Sequence, residues 1–115
     1  MHEYSIVQAL LEQVEQIASQ NNATKITKVV VKIGIMSGVE PHLLEMAFDA
    51  FKEKSVCDGA AFVMNIQPLL LECNLCHAKS EQHKAEYICK ECGSVDTVVL
   101  DGEEMFLMRL EMEEQ

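Results

Sequence analysis

The chain has 115 residues, 49% of them hydrophobic, which suits one packed domain or one domain carrying a small inserted module. It has no Trp and only 5% aromatic residues, so Leu, Val, Ile and seven Met must fill the interior. The formal charge of −10 argues against nucleic acid or an anionic membrane as partner, because neutralising phosphate takes Lys and Arg; cations and basic protein surfaces remain.

Residues 5–20 read as a helix. Ile6, Val7, Leu10, Leu11, Val14, Ile17 and Ala18 recur at i, i+3, i+4 and i+7, and Asn21-Asn22 is a plausible stop. Residues 25–34 read as a strand, with Val29, Val31 and Ile33 alternating against Lys28, Val30 and Lys32, ended by Gly34. Pro41 fits the first turn of a second helix, where its missing N–H costs nothing, and Leu43, Leu44, Ala47, Phe48, Ala50 and Phe51 supply the apolar face. Asp58-Gly59 closes that helical stretch. Ala61–Gln67 reads as a strand with Phe62, Met64 and Ile66 on one face. After Pro68 the composition shifts, and residues 73–94 are polar and punctuated by cysteines. A segment so poor in apolar surface needs a staple. Met105–Met112 alternates again, setting Phe106, Met108, Leu110 and Met112 against Leu107, Arg109 and Glu111, as a strand returning to the main sheet.

The first residues show neither a basic n-region nor an uninterrupted apolar stretch ahead of Glu12-Gln13, and no segment approaches the length of a membrane span. This predicts a cytoplasmic protein, and in that reducing compartment clustered cysteines more often hold metal than pair as disulfides.

Four cysteines stand as Cys73-Asn-Leu-Cys76 and Cys89-Lys-Glu-Cys92. Each CxxC puts two thiolates on one short turn, and two facing turns complete a tetrahedron of soft ligands that suits Zn(II) and leaves no open position. Such a site is structural. A thioredoxin-like redox pair or a c-type haem attachment at Cys73-Asn-Leu-Cys76-His77 would each leave the second pair unexplained, and haem attachment would also require export. Iron in a rubredoxin-like site uses the same ligands. Cys57, the odd cysteine, reads as a small core residue, and His77 and His83 as solvated loop histidines, with ligand replacement at the zinc as the sharper alternative.

The chain opens Met1-His2-Glu3. A large residue at position 2 keeps the initiator Met in place. The Met1 amine, the His2 amide nitrogen and imidazole, and the following amide can close fused chelate rings of the planar nitrogen type that Ni(II) and Cu(II) prefer. Glu3 offers a carboxylate. Alone, this pattern is more often a solvated terminus.

Taken together, these features resemble the HypA/HybF family of hydrogenase nickel-incorporation proteins over nearly the whole chain. The shared features are Met1-His2-Glu3-Tyr4-Ser5 ahead of an amphipathic helix, Ile33-Gly34 through Ser37-Gly38-Val39-Glu40, the two CxxC knuckles, and a closing strand like Met105–Met112. The resemblance implies Ni(II) at His2 with help from Glu3 and the Met1 amine, and structural zinc at Cys73, Cys76, Cys89 and Cys92. It further implies transfer of nickel to a hydrogenase large subunit with a HypB-type GTPase, and in some bacteria work with urease accessory proteins. Relatives place an acidic residue at the position of Glu40, near the nickel site. Its plain alternative is a carboxylate at a helix start.

The expected fold is α+β: two helices packed on a small mixed β-sheet, with an inserted zinc-ribbon (rubredoxin-like) module. The expected division is 1–67 plus 101–115 as a nickel-binding domain and 68–100 as a zinc-binding one. With no nucleophile–base pair, P-loop or dinucleotide motif, the expectation is a metal carrier and not an enzyme. The rival reading is a zinc-ribbon interaction module without nickel function.

Overall fold

The computed structural model describes residues 2–114. In chain order it contains α1 (His2–Gln20), β1 (Ala23–Gly34), α2 (Pro41–Phe51), β2 (Ala61–Gln67), β3 (Leu69–Cys73), β4 (Lys79–Gln82), β5 (Thr97–Asp101) and β6 (Met105–Glu114). The strands form two three-stranded sheets, ordered β2-β1-β6 and β4-β3-β5. Two compact units result, the first of Met1–Val31, Glu40–Asn65 and Leu107–Gln115, the second of Lys32–Val39 and Ile66–Phe106. The second unit comprises Lys32–Val39 together with the 68–100 stretch marked out by composition and the flanking residues 66–67 and 101–106.

In the first unit, α1 buries Val7, Leu10, Leu11, Val14 and Ala18, the stripe expected from the 3.6-residue period. The helix starts three residues earlier than the apolar pattern suggests, at His2, and Glu3 in its first turn is buried. It stops where Asn21 donates its backbone N–H to Ile17 and Ala18 and its side-chain amide to Ile17, and Asn22 turns left-handed at φ 55. Helix α2 is capped by Glu40, and Pro41 occupies its first turn. Leu44, Ala47 and Phe48 are buried, and the Phe48 ring stacks on Phe62 at 4.3 Å. Phe51, expected on the apolar face, is exposed and meets Tyr4 edge-on at 5.4 Å. Val29 and Val31 lie fully buried on the central strand β1. The edge strands are less covered: Ile66 and Met108 are exposed despite their alternating patterns.

In the second unit, β3 pairs antiparallel with β4 and with β5, with a bulge opposite Leu70/Leu71 on the β5 side. Leu69, Leu71 and Cys73 point inward on alternate residues. Residues 73–94 therefore do more than wait for a staple, since β4 contributes buried Ser80 and Gln82. Gln82 secures that strand by donating its side-chain amide to the Ile88 carbonyl at 2.6 Å. Two glycines fix the turn before β6. A Cβ on Gly34 would stand 2.3 Å from the Gly102 carbonyl carbon, and Gly102 itself holds φ +106. Beside them Lys32 pairs with Asp101 at 2.6 Å, which holds the Asp101 carboxyl below its ordinary range. Among the described residues, no helix is long and apolar enough to cross a membrane.

Candidate metal centre

The four knuckle cysteines converge as their spacing predicts. Their Sγ atoms all lie within 4.8 Å of one another, with Cys73 to Cys92 and Cys76 to Cys89 both at 3.6 Å. These separations are too long for a disulfide, whose S–S bond is about 2.05 Å. They approach the edge of about 3.8 Å that four Zn–S bonds of about 2.3 Å give a tetrahedron.

The two knuckles are built alike. The N–H of the first cysteine donates to the carbonyl five residues on: Cys73 to Ala78 and Cys89 to Ser94, both at 2.9 Å. The N–H four residues on donates back, His77 to Cys73 at 3.0 Å and Gly93 to Cys89 at 2.9 Å. That closing residue is left-handed in each, φ 63 at His77 and φ 77 at Gly93. His77 is thus a turn residue, and both it and His83 are exposed.

Inside each knuckle the first sulfur receives main-chain donors. The Leu75 and Cys76 N–H groups donate to Cys73 Sγ at 3.4 and 3.5 Å. The Cys76 N–H above all lowers the Cys73 pKa, and the Cys92 N–H, followed by that of Glu91, lowers Cys89 to about 6. Cys76 behaves oppositely. The Ala78 N–H favours its thiolate, but burial and the neighbouring sulfurs outweigh it and push the pKa up to about 12. Cys92 is raised too, the Ser94 N–H being outweighed by the Cys73 sulfur and by burial. Four thiolates at this spacing need a cation among them. The donor set, its closed tetrahedral arrangement and its backbone support fit zinc. Because Cys73 ends a strand and is followed by a tight turn instead of a helix, the redox-pair reading loses its usual framework.

The N-terminal candidates lie in the first unit. His2 is the first residue of α1 and its side chain is 67% exposed, with Nδ1 3.9 Å from Glu3 Oε2. The Met1 amine lies outside the described residues. The Glu3 carboxylate turns inward and accepts the Glu40 N–H at 3.4 Å. Glu40 in turn caps α2, its Oε1 accepting the His42 N–H at 3.0 Å. Glu3, Glu40 and His42 thereby tie the starts of the two helices together. The inward turn of Glu3 left no trace in the apolar periodicity, and His42 gave no signal beyond its place at a Pro-marked helix start. Cys57 is fully buried, its thiol pushed up to about 11 by burial and, secondarily, by the Glu15 carboxylate.

Residues 1–112 match the family model described as hydrogenase/urease nickel incorporation, metallochaperone, hypA. The chain is 54% identical over 115 residues to the hydrogenase maturation factor HypA of Shewanella sp. (strain MR-7), covering 100% of this chain and 98% of that one. To the same factor of Aquifex aeolicus it is 50% identical over 113 residues, 98% of each chain. Among solved structures, the Ni metallochaperone HypA of Helicobacter pylori superposes with a TM-score of 0.71 at 36% identity and 98% coverage of both chains.

Proposed function

The chain belongs to the HypA family of hydrogenase/urease nickel-incorporation metallochaperones, and from that premise we propose how its own residues carry the cargo. The family is one of maturation factors, not catalysts, and its work lies within the hydrogenase maturation machinery.

Nickel binds at the N-terminus through the Met1 amine, the His2 imidazole and the main-chain nitrogens of His2 and Glu3. One observation carries this reading: His2 and Glu3 lie in the first turn of α1. The first N–H groups of a helix have no intrahelical acceptor. The His2 and Glu3 amides are therefore free of the ladder and can give up their protons to a metal without breaking the helix. The resulting fused nitrogen rings suit a planar d8 ion. The Glu3 carboxylate, turned toward Glu40, supports the site by fixing where the helix begins. An exposed imidazole lets an acceptor enter the coordination sphere while the donor leaves it, which a carrier needs.

Cys73, Cys76, Cys89 and Cys92 hold zinc, which supplies folding energy to the second unit and takes no part in transfer. The nickel-binding function is assigned to the α+β part of the chain and zinc to the ribbon. A HypB-type GTPase as partner, the hydrogenase large subunit as recipient, urease accessory proteins as further partners and a cytoplasmic location complete the reading.

The test is calorimetric titration of Ni(II) into wild type, His2→Ala and a chain extended by two residues before Met1, with zinc measured alongside. One nickel in wild type, lost in both variants with zinc kept, supports the terminal chelate. Equal binding by all three places nickel elsewhere.

A further inference from the structure

We propose that the open edge of β5 docks an extended, lysine- or arginine-bearing segment of a protein partner, which joins the sheet of the second unit as a further strand. The inference does not rest on the terminal nickel site.

Strand β5 stands last in the order β4-β3-β5, and among the described residues only β3 pairs with it. Its outer row of N–H and C=O groups is a template for another strand. The sequence does little to guard that edge. Thr97, Val98 and Val99 are β-branched, and the strand Thr97–Asp101 holds neither the Lys nor the Pro that commonly blunts an edge. Val98 and Leu100 share one side of the strand by the two-residue period and are 43% and 47% exposed. An added strand would meet them with its own alternate side chains, while main-chain hydrogen bonds supply affinity.

The adjoining groove sets the chemistry of the visitor. It has a volume of about 420 Å³ and runs from Leu100 past Glu103 and Glu104 to Phe106, whose ring is 45% exposed. One cation of the chain itself already sits there. Lys32 Nζ lies 5.6 Å from the centroid of the Phe106 ring and 2.6 Å from Asp101 Oδ2. The groove thus holds an ammonium between an aromatic face and a carboxylate, and both attract it. Lys32 serves Asp101 alone. Among the described residues neither Glu103 nor Glu104 forms an ion pair, and both are exposed.

Their loop is fixed in advance. The Glu104 carbonyl accepts the Gly34 N–H at 3.0 Å, and Asp101 Oδ1 accepts the Gly102 N–H at 2.8 Å. A loop already ordered loses less freedom when a partner binds. Three carboxylates against one ammonium leave the groove with surplus negative charge, in a chain of net charge −10. A second copy of this chain would bring the same surplus and be repelled, whereas a basic segment is attracted and steered in.

The test uses the full zinc-loaded chain and synthetic peptides as probes: acetyl-Lys-Val-Lys-Val-Lys-Val-Lys-amide, the same peptide with Glu for Lys, and the same with Ser for Val. Fluorescence anisotropy gives affinity, and heteronuclear NMR of the backbone amides locates the contact. The lysine–valine peptide should bind, more weakly as salt rises, with the largest amide shifts across Thr97–Asp101 and at Phe106. Binding to Glu103→Lys/Glu104→Lys should be at least about tenfold weaker, because like charges then face each other. Glu103→Gln/Glu104→Gln, matched in shape, should fall between that variant and wild type, and Val98→Thr/Leu100→Thr should weaken binding without changing its salt dependence. Zinc content and the unshifted remainder of each spectrum show that the variants are folded. No binding, equal binding of the glutamate peptide, shifts centred away from β5, or unchanged affinity in both charge variants overturns the proposal. So does sedimentation as a dimer that Val98→Thr/Leu100→Thr dissociates, since the edge would then be filled by a second copy. Nickel uptake is read separately on the same variants, so failure here leaves the terminal chelate standing.

Discussion

At the scale of single residues, Glu3 separates two ways of using one side chain. A carboxylate on the metal and a carboxylate that accepts the Glu40 N–H make different demands, and Glu3 is buried in the second arrangement. Glu3→Gln keeps an oxygen acceptor and the main-chain nitrogen. It should therefore still bind one nickel, with stability lowered by about 0.5–1.5 kcal/mol as a charge-assisted hydrogen bond becomes a neutral one. Glu3→Ala leaves the Glu40 N–H without its acceptor and should cost about 1–3 kcal/mol. Urea unfolding and nickel calorimetry on the two variants check this, and loss of nickel in Glu3→Gln would put the carboxylate on the metal. The chain order Met1-His2-Glu3 suggests a chelate because that chemistry is local. The burial of Glu3 was not legible there, since it depends on a partner 37 residues away.

At the scale of elements, the zinc knuckles show how much a spacing can carry. Cys-x-x-Cys told where the sulfurs would gather, because the turn that spaces two thiolates is set within five residues. Strands β3, β4 and β5 went unread, being four or five residues long and interrupted by polar and cysteine positions that blur a period of two. The two knuckles differ at the closing left-handed position. His77 bears the strain of a Cβ there and Gly93 does not. His77→Gly should therefore stabilise the zinc-bound chain, and Gly93→Ala should destabilise it, each by about 1–2 kcal/mol. Thermal unfolding of the two variants reads both signs, and a destabilised His77→Gly would mean that the imidazole does more than close a turn. The pH dependence follows from the same sulfurs. Protons and zinc compete for them, so zinc is held at high pH and lost as pH falls. Cys76, with its metal-free pKa near 12, must give up a proton on binding and takes it back on release. Zinc release against pH, followed with a chromogenic chelator, should be steeper than a one-proton curve.

At the scale of the whole molecule, the burial of apolar side chains is uneven. Among the described residues nineteen hydrophobic ones are buried, fourteen in the first unit and five in the second, two of those five being the knuckle cysteines Cys73 and Cys89. The first unit has the core of an ordinary small fold, with Phe48, Leu44 and Val14 fully buried. The second depends on Ile33, Leu69 and Leu71 for large apolar side chains, too few for so short a segment to stand unaided. Zinc binding supplies what is missing, on the order of 10 kcal/mol or more in zinc-finger peptides. Stripping zinc with a strong chelator under reducing conditions should therefore act on one unit only. Amide protons of β3 and β5 should lose their protection from exchange, while those in the buried turns of α1 and α2 keep theirs, since each unit opens according to its own buried surface. The same pattern should follow Cys73→Ser or Cys89→Ser. If α1 loses protection together with β3, the first unit's core does not suffice by itself, and zinc stabilises the whole chain instead of the ribbon alone.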